Sequence, residues 1–170
     1  MKTRIAFAAA FILAVFADAA RVPIDARFIV DGEREVRGWT FNEVEAYKPF
    51  GDITASMLDG IPGVRLVSKG KPVTLYHTVP VRVKPGETCV LKVKARGKGK
   101  GSLGFFAYGP KWAWKGSHGT PFGNAADLTA SPLPAEAKFV VPDGVETVRP
   151  ILSVAGGSDV EFFDVTFEKD

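Results

Sequence analysis

Beyond about residue 20 the chain breaks into short runs in which apolar and polar positions alternate. Phe163, Val165 and Phe167 fall on one side of such a run, and Asp164, Thr166 and Glu168 on the other. Val79, Val81 and Val83 alternate in the same way with Pro80, Arg82 and Lys84. Successive side chains of an extended strand point to opposite faces, so a period of two marks a strand with one buried side. The pattern predicts strands over 27–30, 36–41, 64–68, 73–83, 88–95, 102–108, 138–141, 147–154 and 160–168. The 18 Gly and 12 Pro punctuate these runs. Many short strands with Gly and Pro between them predict an all-β fold, an antiparallel sandwich or barrel. Helical periodicity is weak, and only 42–48 and 123–128 have room for a turn or two.

Turn chemistry predicts the connections. Lys84-Pro85-Gly86-Glu87 places Pro and Gly at the central positions of a type II turn, joining strands 73–83 and 88–95 as neighbours. Pro142-Asp143-Gly144 does the same for 138–141 and 147–154. Gly97-Lys98-Gly99-Lys100-Gly101 reads as a mobile, solvated hairpin tip, with a basic anion contact as the alternative. It lacks the Gly-Lys-Ser/Thr ending and following helix of a phosphate-binding loop.

The first residues belong to a different pattern. Lys2 and Arg4 precede an uncharged apolar run over 5–17, and Ala17-Asp18-Ala19 offers small residues where a signal peptidase reads. This predicts a secretory signal over 1–19 and a single β-sandwich domain over 20–170, starting at Ala20 or Arg21. The run is short of the roughly 20 residues that span a membrane. Removing the signal lowers Lys plus Arg from 22 to 20 and Asp plus Glu from 19 to 18, so the net charge moves from +3 to about +2. A charge this small predicts no nucleic-acid partner. The expected location is secreted or periplasmic. The lone Cys89 excludes an internal disulfide; Leu91, Val93 and Ala95 share its face, so it reads as a core thiol, with an exposed reactive thiol as the alternative.

The segment from Val73 through Lys84-Pro85-Gly86 to Ala95-Arg96-Gly97, followed by Ser102-Leu-Gly-Phe-Phe-Ala-Tyr108, resembles galactose-binding-like jelly-roll domains. These include carbohydrate-binding modules of families four, nine, sixteen and twenty-two. Phe28-Ile-Val-Asp-Gly-Glu and Gly38-Trp39 are similar to the opening of such domains, and Val160-Glu-Phe-Phe-Asp-Val165 to their closing strand. Asp31 stands where the opening pattern has Asn, Arg34 where it has Phe, and one carboxylate of the closing pattern is replaced by Phe163. The resemblance implies a jelly-roll sandwich and carbohydrate binding. It also implies a structural calcium on an early Glu and a late Asp, which by position are Glu35 and Asp164. The competing reading of that pair is two surface carboxylates on adjacent strands.

Chemistry-bearing motifs are few. The two histidines, His77 and His118, form no HExxH, and no paired Cys ligands or Gly-x-Ser-x-Gly occur. Ser68-Lys-Gly-Lys71 matches Ser-x-x-Lys but precedes Pro72 in a predicted turn, where a nucleophile would be solvated. Glu43 and Glu45 sit too close in sequence for a glycosidase pair. No catalytic residue is therefore expected. The segment 108–124 stands apart, because Trp112 and Trp114 lie two residues apart between Lys111 and Lys115. Flanking Gly and Pro predict a loop, with both Trp on one side if it is extended. Rings beside polar groups suit a sugar, whose C–H faces stack while its hydroxyls hydrogen-bond. Tyr108, Lys115 and His118 join Trp112 and Trp114 as candidate ligand contacts, the alternative being that both Trp cap the core. Trp39, early in a strand, reads as core. The expected function is a secreted, non-catalytic carbohydrate-binding domain with a polysaccharide partner. Alternatives are a surface or periplasmic protein-interaction domain and a glycan-active enzyme.

Overall fold

The structure, a computed structural model, describes residues 20–31, 35–42, 51–122 and 131–170. Two antiparallel sheets face each other. The first runs β12 (Leu133–Val140), β9 (Thr88–Lys98), β14 (Asp159–Lys169), β6 (Ile61–Ser68), β5 (Gly51–Leu58), with β1 (Ala20–Val22) on the last residues of β14. The second runs β11 (Trp114–Phe122), β10 (Gly101–Tyr108), β13 (Thr147–Val154), β7 (Val73–His77), β4 (Trp39–Asn42), β3 (Glu35–Val36), β2 (Val30–Asp31). β8 (Val81–Arg82) extends the β7 side of β13. This is the antiparallel sandwich that the alternating pattern predicts.

The core fills the space between the sheets. Leu66, Leu91, Phe162 and Phe167 enter from the first sheet and Leu75, Leu103, Phe105 and Leu152 from the second. Trp39 is buried among them against Phe28 and His77. Cys89 is fully buried, and loss of solvent pushes its thiol pKa up to about 12, so it is inert rather than reactive.

The predicted turns form, but three of them lead elsewhere. At Lys84-Pro85-Gly86-Glu87 the Glu87 N–H donates to the Lys84 carbonyl at 3.1 Å and Gly86 has φ +85°, as a type II turn requires. Yet β8 lies in the second sheet and β9 in the first. The links at 97–101 and 142–144 also pass between sheets. None of the three joins hydrogen-bonded neighbours, because strands of one sheet are interleaved by strands distant in sequence. The expected loop after Trp112 is instead the edge strand β11, paired along β10 from Gly101↔Phe122 to Tyr108↔Trp114. Of the helical expectation over 42–48 only Asn42 is described, and it ends β4; the rest of it, the one over 123–128 and the predicted signal over 1–19 fall outside the described residues. Ser68 is structural: its hydroxyl donates to the Lys71 carbonyl at 2.6 Å and accepts from the Gly70 and Gly157 N–H groups.

The outer face of the first sheet is laced with ion pairs. Lys92 meets Glu168 at 2.7 Å, Lys94 meets Asp164 at 3.0 Å, Arg65 holds Asp159 by two nitrogens, and Arg96 pairs with Glu161, which also accepts from Ser56.

Candidate functional site

The outer face of the second sheet is built differently, and register explains how. On β10, Leu103, Phe105 and Ala107 enter the core, which turns Phe106 and Tyr108 outward. On β13, Val148 and Leu152 enter the core and Arg149, opposite Phe106, turns outward. On β7, Val73 and Leu75 enter the core and Tyr76 turns outward, opposite Ile151. The edge pair Tyr108↔Trp114 adds a further ring. The rings form a continuous strip: Tyr76 to Phe106 at 5.7 Å, Phe106 to Trp114 at 5.4 Å, Trp114 to Tyr108 at 5.4 Å, and Tyr108 to Trp112 at 5.7 Å. The contacts involving either Trp are edge-to-face, a favoured arrangement that fixes ring orientation. Trp112 and Trp114 remain 54% and 57% exposed, so they are surface rings held in place rather than caps on the core.

Trp112 reaches this strip through an uncommon turn. The Ala113 N–H donates to the Pro110 carbonyl at 3.1 Å, and Lys111 and Trp112, the central residues, have φ of +53° and +65°. Positive φ at both central positions is the geometry of a type I′ hairpin turn, which normally uses Asn-Gly or Asp-Gly. The β5–β6 hairpin follows that preference with Asp59-Gly60, at +47° and +82°. A lysine and a tryptophan in the same geometry are strained by about 1–2 kcal/mol each. The two Trp thus share a side because a tight turn folds them onto Tyr108, not because the segment is extended.

Arg149 lies inside the strip. Its guanidinium carbon sits 5.3 Å from the Trp112 ring centre, 5.5 Å from Tyr76 and 5.7 Å from Tyr108. Its Nε is buried without a hydrogen-bond partner, and among the described residues no carboxylate forms an ion pair with it. Beside Trp112 opens a cleft of about 570 Å³ lined by Arg82, Lys84, Lys111, Thr147, Lys169 and Glu146, among others. Lys169 is paired with Glu87 at 3.3 Å; among the described residues Arg82, Lys84 and Lys111 form no ion pair. Sequence reading missed Arg149 and Tyr76.

Lys115 and His118 diverge from the two Trp. The Lys115 stem folds across Gly109, filling the space a side chain there would take, with its ammonium near Gly144. His118 is opposite Phe105, a core-facing residue, and packs on the Phe139 ring at 4.4 Å. It therefore points to the other side of β11 from the aromatic strip.

No protein family's sequence profile matches the chain, and no curated protein does. Solved structures match it in shape. The enzymatically active domain of tailspike protein 4 from bacteriophage CBA120 superposes with a TM-score of 0.62 at 11% identity, over 85% of this chain and 22% of that one. The xylanase 10B modules CBM22-1–GH10 of Clostridium thermocellum, complexed with xylohexaose, give 0.56 at 14% identity, over 76% and 26%. A family 4 carbohydrate-binding module gives 0.51 at 16% identity, over 78% and 86%. The fold is a galactose-binding-like jelly roll. The chain spans about a quarter of the first two of these proteins, so it corresponds to one domain of each.

Among the described residues, Arg149 Nε is the one buried side-chain nitrogen or oxygen without a hydrogen-bond partner. A second cleft, of about 710 Å³, is lined by Arg21, Asp25, Arg27, Arg37, His77 and Asp164, among others. There Arg27 meets Asp25 at 2.8 Å, and this hydrogen-bonded pairing holds the Asp25 carboxyl below its ordinary range. His77 donates from Nδ1 to the Val79 carbonyl at 2.9 Å and its Nε2 accepts the Asp25 N–H at 3.4 Å, and burial pushes its pKa down, so it is neutral. The calcium implied for Glu35 and Asp164 meets one described carboxylate, Asp164, already paired with Lys94 at 3.0 Å. Glu35 lies on β3 of the other sheet. Among the described residues no group of three or more His, Cys, Asp or Glu is placed to hold a metal. No helix among them is long and apolar enough to cross a membrane.

Proposed function

We propose that this jelly roll is a non-catalytic carbohydrate-binding domain, exported with removal of residues 1–19, that holds a polysaccharide on the outer face of its second sheet. One observation carries the reading: two Trp rings more than half exposed are fixed edge-on against Tyr108, one of them by a strained turn. Such rings suit the C–H faces of successive sugars, while Thr74 and Ser153, hydrogen-bonded to each other at 2.8 Å farther along the same face, offer hydroxyls. Among the described outward positions of β7, β13, β10 and β11 no carboxylate occurs, and rings and hydroxyls dominate instead. The partial likeness to modules whose solved structures are described as carbohydrate-binding supports the same reading. A glycan array on the secreted protein, followed by calorimetry with the best ligand, tests it. Binding that Trp112→Ala or Trp114→Ala removes, at an unchanged melting temperature, supports it. An array with no glycan bound moves the function to a protein contact through the same rings.

A further inference from the structure

We propose that the bound polysaccharide is acidic, and that Arg149 receives the oxyanion, carboxylate or sulfate, carried on its sugars. The inference rests on the proposed carbohydrate-binding face and goes beyond it. Arg149 is the central observation. A guanidinium always carries its charge, and here three rings flank it and its Nε is buried without an acceptor, while the side chain as a whole stays partly exposed. Withdrawing part of a cation from water without an anion carries a cost that a bound anion would offset. Ring faces supply part of the compensation by cation–π attraction. They also hold the planar group in one orientation, ready for bidentate contact with an oxyanion.

The surroundings have the same sign. Lys111 stands in the strained turn that carries Trp112, and Arg82 and Lys84 line the adjoining cleft, all without ion pairs among the described residues. Glu146 is the one unpaired carboxylate on that rim, and Glu87 nearby is taken by Lys169. Positions 31 and 35, the acidic ones on this sheet, belong to β2 and β3, separated from β13 by β4 and β7. On the first sheet, by contrast, the outward cations Lys92, Lys94 and Arg96 each have a carboxylate. Pairing is thus the rule across β9, β14 and β6 of the first sheet, although Lys98 and Lys138 at that sheet's margins have no ion pair among the described residues, and it is absent around the aromatic face. A neutral polysaccharide would use the rings and leave Arg149 unanswered; an acidic one uses both.

Affinity electrophoresis with matched polymers tests this. The pairs are polygalacturonate and its methyl ester, glucuronoxylan and its carboxyl-reduced form, and dextran sulfate and dextran. The first two pairs report a carboxylate and the third a sulfate ester. At low salt the charged member of at least one pair is expected to bind roughly tenfold tighter, with the preference shrinking as salt rises. Arg149→Gln is expected to erase the preference, and Arg149→Lys to retain part of it because charge remains without the fork. Melting curves on both variants separate lost binding from lost folding, and the salt dependence of the unmutated protein stands if neither variant folds. Equal binding of charged and neutral members, or a preference that survives in Arg149→Gln, overturns the assignment while leaving carbohydrate binding intact. Failure of every polymer, neutral ones and an array included, overturns both.

Discussion

The two outer faces of this sandwich solve the same problem in opposite ways. Each sheet must present one side to water. The first does so with long cations and carboxylates set opposite one another across β9, β14 and β6, and its one large outward aromatic, Phe163, is fully buried under Arg96 and against Gly63. The second leaves Trp rings in water and, among the described residues, Arg149 without an anion. A surface that is complete in itself has no need of a ligand. A surface with exposed rings, an unpaired cation and a strained turn is, on the proposed reading, completed by its ligand.

The largest effect expected from breaking this comparison is on the first sheet. Phe163→Ala should lower stability by about 3–5 kcal/mol, as for a buried large aromatic, and leave glycan affinity alone; denaturant unfolding and calorimetry read the two quantities. Trp114→Ala should do the reverse, costing on the order of 1–3 kcal/mol of binding, ten- to a hundredfold, with little change in unfolding. If the two variants exchanged behaviours, the division of labour between the faces would be wrong.

A smaller effect sharpens the same contrast at the turns. Gly60→Ala should cost about 1 kcal/mol from backbone strain alone, since an added Cβ there has nothing within 4 Å. Lys111→Gly should stabilise by a similar amount, about 1 kcal/mol, because it relieves the same strain. Chemical denaturation of both variants checks the opposite signs.

The smallest effects concern charge. Hydrogen bonding by Arg65 holds the Asp159 carboxyl below its ordinary range; for Glu161, burial raises it but bonds from Arg96 and Ser56 prevail and hold it low. Both contribute stability above the unfolded carboxylate range, about pH 4, that is lost as pH falls through their folded values. His77 is depressed mainly by burial, so the unfolded chain takes up its proton first and stability begins to fall as pH drops below 6.5. Melting temperature should therefore be flat near neutrality, decline gently below about pH 6.5 and steeply below about pH 4. A melting temperature that rose on acidification would contradict these signs.

How far the sequence reveals this molecule depends on whether the signal is local. Alternation in 160–168 and 88–95 marks strands because one face of each is buried, and both are there. β11 escaped because an edge strand exposed on both sides has no alternation to show. The Pro-Gly turns are legible as turns, but their destination depends on which sheet the next strand joins, which local chemistry does not encode. The Trp pair stood out by composition. Arg149 did not, because Val148-Arg149-Pro150-Ile151 reads as an ordinary strand, and its cage exists only once β13 lies between β7 and β10. His118 shows the converse: near the Trp pair in sequence, it is turned to the opposite side by strand parity.

The pairing of β1 with β14 has a mechanical consequence. Ala20 lies opposite Lys169 and Val22 opposite Phe167, so a pull applied through residues 20 and 169 loads the hydrogen bonds of this ladder one after another rather than together. Bonds loaded in series open at low force, as a zipper does. The three residues of β1 would peel away first, and they belong to the sheet that does not carry the rings. Tension between those two points would therefore be relieved by a short lengthening at one sheet, leaving the proposed binding face on the other undisturbed.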